Sequence, residues 1–179
     1  MFSLPAVRYL PETPDHDAAI EAIASEAFGP GRFARAAERV REICPRDRSL
    51  CFVALFDGCV VGSVRQTPIA VGGRPALMLG PLAVGPVYKG QGIGRRLMAL
   101  AEKIAREKGE TAILLVGDRA YYEPLGYVPM PRGAVIMPGP VDQGRVLGLA
   151  LVDGALDGLT GRVGRRPAAV LAGAAPDER

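Results

Sequence analysis

The residues with most chemistry in them form one loop and the start of one helix: Lys89-Gly90-Gln91-Gly92-Ile93-Gly94-Arg95-Arg96. Arg95 and Arg96, with Lys89 just before, crowd a helix N-terminus whose unpaired N–H groups already carry partial positive charge. Cations are unfavourable there unless an anion joins them. Glycines without side chains let backbone N–H groups close on that anion, and a phosphate is the expected guest. The competing reading is an ordinary strand-to-helix turn with solvated arginines. No Gly-Lys-Ser/Thr occurs in the chain, which excludes the nucleotide-triphosphate loop. The dinucleotide fingerprint G-x-G-x-x-G fails at its third glycine, which falls on Arg95. Asp118, after the next apolar run, stands near the ribose-binding position of that fold and keeps a dinucleotide-binding domain as a competitor.

Three elements must position this loop. Ile93, Leu97, Met98, Ala101, Ile104 and Ala105 recur at three- and four-residue spacing and predict an amphipathic helix, stopped at Gly109. The apolar run over residues 77–84 predicts the strand that enters the loop. Residues 112–116, wholly apolar, predict a strand covered on both faces. A strand, a helix and a strand make a crossover unit, so these two strands should run parallel. Pro81 cannot donate to a ladder and marks a bulge or a splay. A parted pair leaves backbone groups free to hold an amide-rich ligand arm as though it were a strand.

Elsewhere, residues 6–10 predict an opening strand, and Pro11 to Pro14 a turn with Asp15 or Asp17 capping the next helix. Ile20, Ile23, Ala24 and Ala27 form that helix's inward stripe. Gly29-Pro30-Gly31 breaks it, and residues 33–43 resume with Phe33, Ala36, Ala37, Val40 and Ile43 inward. Residues 50–56 and 59–66 predict a hairpin about Asp57-Gly58, with a further turn at Gly72-Gly73 before the strand at 77–84. Beyond Tyr127 the Pro- and Gly-rich text predicts loop with at most one strand, at 134–137, and then a last strand at 145–152. The fold class is α+β: a central, mostly antiparallel sheet with one parallel splayed pair and helices on both faces. Residues 1–165 form one domain, and a loosely held tail follows, with weak periodicity from about Arg162.

A net charge of +3 over 179 residues is too small to indicate nucleic acid, whereas a polyanionic small molecule needs only the local cluster at the helix start. Three cysteines (Cys44, Cys51, Cys59) and one histidine (His16) do not match zinc spacings, so no metal is expected. The odd cysteine count predicts reduced, mostly buried thiols and a cytoplasmic setting. No stretch approaches a membrane-spanning length, and no signal-peptide core is visible. Oligomeric state stays open between monomer and homodimer.

Leu82-Ala83-Val84, Pro86, Lys89, Gly92 and Gly94, followed by Tyr121-Tyr122-Glu123-Pro124-Leu125-Gly126-Tyr127, give the chain its resemblance to the GNAT superfamily of N-acetyltransferases. Residues 27–33 (AFGPGRF), 114–127 and 154–161 resemble more particularly the bacterial YhbS-type predicted acetyltransferases. The resemblance covers roughly residues 5 to 165. It implies a GNAT-like acyl-CoA N-acyltransferase fold and acetyl-CoA (coenzyme A) as co-substrate. The diphosphate would lie over residues 90–95 and the pantetheine arm along 82–84. The implied cofactor contacts are Leu82, Ala83, Val84, Lys89, Gly90, Gln91, Gly92, Ile93, Gly94 and Arg95. Lys89 stands where relatives carry Gln or Arg; it keeps a cation but loses the planar fork. Tyr122 matches the family tyrosine and is the implied general acid to the departing thiolate, with Tyr121 read as core. Strand 112–116 lacks the acidic residue of many relatives, so Glu26, Glu123, Asp142 and His16 stay open as bases acting through water, although each is read first as a solvated surface or capping residue. The acceptor is an amine, small-molecule or protein, with its walls in 28–33 and 129–143. A module that binds CoA or acyl-CoA without turnover is the alternative.

Overall fold

The computed structural model describes residues 6–29 and 36–167. Asp57 and Gly58, both at positive φ, close a two-residue turn whose twist suits its flanking strands, so β2 (Phe52–Phe56) folds back on β3 (Cys59–Val71). β3 runs past Gln66 to the Gly72-Gly73 turn, and β4 (Arg74–Val84) starts three residues before the predicted strand. β1 (Arg8–Pro11) pairs antiparallel with β2. β5 (Ala112–Val116) pairs parallel with β4, β8 (Val146–Ala150) antiparallel with β5, and β6 (Val128–Pro129) antiparallel with β8. The sheet order is therefore β1-β2-β3-β4-β5-β8-β6.

Period-two alternation gives this sheet two apolar faces. Leu77, Leu79, Ile113 and Leu115 point to one, where α3 (Ile93–Glu107) buries Ile93, Leu97, Met98, Ala101 and Ala105. Ala76, Met78, Ala112 and Leu114 point to the other, under Ala36 and Val40 of α2 (Ala36–Ile43). α1 (Asp17–Phe28) lies against β3 and β4 through Ile20, Ile23 and Ala24. Each fully buried Leu, Ile or Met contributes roughly 1.5–3 kcal/mol, so α3 is held by its apolar stripe far more than by helix propensity. The mixed sheet between helices agrees with the expected fold class.

Several sequence expectations need correction. Ile43 is 44% exposed, and Cys44 turns inward in its place. Neither Asp15 nor Asp17 caps α1: Thr13 N–H donates to His16 Nδ1 at 3.1 Å, and Asp17 instead binds arginines. The Pro- and Gly-rich stretch holds more than one strand. β7 (Val135–Ile136) pairs parallel with β9 (Gly161–Gly164), which also pairs with the end of β3. This gives a second parallel contact and anchors residues assigned to the loose end. Arg166 is also held, bonding Glu110 through Nη1 at 2.8 Å and Nη2 at 2.7 Å and donating to the carbonyl of Ala76. Pro30, Gly31, Phe33 and residues 168–179 lie outside the described residues.

Candidate active site

The parallel pairing of β4 with β5 lasts only two rungs, Leu77 with Ile113 and Met78 with Leu114. Beyond them β4 bulges: Gln66 faces Leu79 and Val64 faces Leu82, so Arg65 alone opposes Gly80 and Pro81. The sequence allowed a bulge or a splay at Pro81, and both occur. The strands diverge into a cleft of about 1330 Å³. Its walls come from α1, α2, the bulged end of β4, the start of α3, the end of β5 and the segment before β8.

At one end of the cleft lies the glycine loop. Gly92, at φ 79°, takes the left-handed conformation that only glycine adopts without cost, and stands at the N-cap of α3 with no side chain capping it. The first intrahelical bond is Arg96 N–H to Gly92 C=O at 3.0 Å, so the N–H groups of Ile93, Gly94 and Arg95 precede the ladder. Lys89, Gly90, Gly92, Ile93, Gly94 and Arg95 line the cleft, as do Leu82 and Val84. Ala83 is buried with its side chain on the opposite face of β4. Gln91 donates from Nε2 to the carbonyl of Val87 at 3.2 Å and is not part of the wall.

Across the splay lies α4 (Arg119–Tyr122), one turn whose N-terminus is capped by Asp118, accepting from Ala120 N–H at 3.1 Å. That cap is the observed work of the aspartate considered for a ribose. Tyr122 enters the cleft because residue 117 is glycine: a Cβ there would stand 2.2 Å from the Tyr122 ring. The ring packs edge-on to Tyr121, with centroids 4.8 Å apart, and to Tyr127, at 5.8 Å. Its hydroxyl makes no hydrogen bond to the described residues. Burial, with Tyr121 alongside, pushes the Tyr122 phenol up to about 12 against the opposing pull of Arg145. Tyr127 is buried, its hydroxyl without a hydrogen-bond partner among the described residues, and burial raises it as well.

Tyr121 is not core. It is 39% exposed and lines the cleft, its hydroxyl 2.7 Å from where a Cβ on Gly94 would be. Consecutive aromatics on a single turn both reach the mouth because α4 lies across it. Of the residues considered as bases, only Asp142 lines the cleft, and its carboxylate accepts from Gly144 N–H at 2.9 Å. Glu123 pairs with Arg119 at 2.7 Å, and His16 is engaged by Thr13. Glu21, Glu38, Arg41, Arg46 and Arg65 also line the cleft and went unrecognised in the sequence. Asp17, Glu21, Ala24 and Phe28 do share helical spacing, a stripe beside the apolar one that the composition of α1 could have revealed. Among the described residues no group of His, Cys, Asp or Glu could hold a metal, and no helix is long and apolar enough to cross a membrane.

Residues 18–127 match the profile of the Acetyltransferase (GNAT) family. The chain is 32% identical over 109 residues to the uncharacterized N-acetyltransferase YhbS of Escherichia coli (strain K12), covering 60% of this chain and 65% of that protein. It is 30% identical over 117 residues to the uncharacterized N-acetyltransferase YjhQ of the same strain, covering 62% and 63%. The chain thus spans just under two thirds of the length of these relatives. The fold superposes on the crystal structure of YhbS from Escherichia coli in complex with CoA with a TM-score of 0.76, at 26% identity and 97% of each chain. It superposes on a GNAT family acetyltransferase from Brucella melitensis in complex with acetyl-CoA with a TM-score of 0.58, at 26% identity, covering 85% of this chain and 99% of that one.

Proposed function

This chain belongs to the acetyltransferase (GNAT) family, and from that premise we propose that it moves an acetyl group from acetyl-CoA to a primary amine by direct attack in a ternary complex. One observation carries the reading: the two-rung pairing of β4 and β5 opens a cleft that ends at an uncapped, glycine-flanked helix start. The residues present fit the cofactor. Lys89, Arg95 and the N–H groups of Ile93, Gly94 and Arg95 suit a diphosphate. The unpaired edge of β4 from Leu82 to Val84 suits an amide-bearing arm, with Ala83 contributing backbone alone.

When bound, acetyl-CoA supplies the activated acyl carbon. The chain's own part is to hold it and stabilise charge. A backbone N–H near Leu82 to Val84 is the donor for the developing oxyanion. Tyr122 is the general acid: half-buried and held up to about 12, it keeps its proton throughout the physiological range and presents it to the departing sulfur. Asp142 is the one residue among the bases considered that borders the cleft.

Calorimetry with acetyl-CoA, followed by thiol release across an amine panel, tests this function. Binding in the micromolar range, with turnover reduced about 10²-fold or more by Tyr122→Phe, is expected. A folded protein that takes up neither acetyl-CoA nor CoA refutes it, and so does one that binds NAD instead. Binding without turnover of any amine identifies the non-catalytic module.

A further inference from the structure

Three arginines and two carboxylates meet where β1, the start of α1 and β3 converge. Glu12, its side chain fully buried, accepts from Arg65 Nε at 2.8 Å and Nη2 at 3.1 Å, and from Arg48 Nη1 at 2.8 Å. Asp17 accepts from Arg65 Nη2 at 2.7 Å and from Arg48 at 2.5 and 3.0 Å. The Arg48 hydrogen bond holds its carboxyl down to about 2, so it is ionised at neutral pH. Arg46 completes the group loosely, at 3.3 Å from each carboxylate. The cluster therefore carries one guanidinium more than it has carboxylates.

The surplus faces the cleft. Arg46 and Arg65 line its wall, while Arg48 does not. Their side chains are 28% and 12% exposed, so water screens them poorly. Arg65 sits opposite the bulge at Gly80 and Pro81, and its Nη1 has no hydrogen bond among the described residues. The nearby Arg41 is already matched: it pairs with Glu38 and donates to the Gly80 carbonyl at 3.1 Å. A half-buried guanidinium pair with unused donors is a fork for a planar anion. Glu21, one turn beyond Asp17 on α1, lines the same wall.

We propose that Arg46 and Arg65 bind the carboxylate of the acceptor, which makes the acceptor class amines that bear a carboxylate, such as amino acids. The identity of the acceptor rests on the transferase reading above; the carboxylate site does not. Titration of the cofactor-free protein with N-acetylalanine and with its primary amide reads the site directly. The carboxylate binds at least tenfold more tightly than the amide, and Arg46→Gln abolishes the difference. The fold survives that change because Glu12 keeps Arg48 and Arg65. In thiol-release assays alanine has a KM at least tenfold below alaninamide, and Arg46→Gln removes this ratio. Equal binding of acid and amide, or a ratio unmoved by Arg46→Gln, overturns the proposal. Carboxylate binding in a protein that ignores acetyl-CoA leaves the anion site standing and removes the transferase; acetyl-CoA binding without carboxylate discrimination does the reverse.

Discussion

Gly117→Ala isolates the placement of Tyr122 from its chemistry. The new methyl would stand 2.2 Å from one ring carbon of Tyr122 and 2.6 Å from the next. Ordinary carbon–carbon contact lies near 3.5 Å, so the ring must retreat by ~1.3 Å. The neighbours add to the crowding, since Leu115 Cδ1 lies 3.0 Å from the new methyl and Tyr127 packs edge-on to the ring. Overpacking of this kind costs about 1–3 kcal/mol of stability, read as a lower urea midpoint. Displacing a catalytic group by about 1 Å costs about 10²-fold in rate. Gly117→Ala should therefore lower kcat about 10²-fold while the acetyl-CoA dissociation constant changes little, because the new methyl meets Tyr122 and Leu115 and not the N–H groups of the glycine loop. The control is the same substitution in a Tyr122→Phe background. If the methyl acts by moving the hydroxyl, it costs almost nothing more once the hydroxyl is gone. Wild-type kcat in Gly117→Ala, or an undiminished loss in the double variant, would refute the assignment of Tyr122.

Further outcomes follow from the same geometry. Glu12→Gln leaves three guanidiniums around a buried site and should cost roughly 3–5 kcal/mol in urea unfolding; a cost below about 1 kcal/mol contradicts the network. Gly94→Ala should move Tyr121 at little cost in stability, because only the phenol tip is in the way, yet weaken CoA binding about tenfold by standing over the helix N–H groups. Burial lifts Cys51 from 9.0 to about 11 and Tyr122 from 10.0 to about 12, so the folded chain binds more protons than the unfolded one across these windows. Stability should fall as pH rises from about 9 to about 12, and Cys51→Ala should remove the earlier part of that fall in melts recorded against pH. Asp17, lowered from 3.8 to about 2, works in the opposite sense: its contribution is present above about 4 and is lost as pH falls toward 2, a limb that Asp17→Asn should flatten.

What the sequence made legible were features whose cause is local. The apolar stripe of α3, its glycine ends, the Asp57-Gly58 hairpin and the apolar run of β5 each follow from a few neighbouring residues. The splay was legible too, since a proline in a central strand can be accommodated in few ways. The arginine cluster was not, because residues 12, 17, 46, 48 and 65 approach only through tertiary structure. β7 falls within the strand expected at 134–137, whereas β6 and β9, of two and four residues, leave no periodicity to detect. Ile43 and Cys44 differ by one position at a helix end, where a turn of 100° decides which faces water. Tyr121 and Tyr122 were separated by motif, and the structure put both on the cleft.

Arg166 sits at the closed apex of the wedge. Its guanidinium donates to the carbonyls of Ile69 on β3 and Ala76 on β4, and grips Glu110 in the turn between α3 and β5. One side chain thereby bolts together three stretches of main chain at the point from which the two parting strands fan out. The aperture is framed from behind, like shears held at the rivet, so a guest entering at the mouth meets a gap already spread and need prise nothing apart.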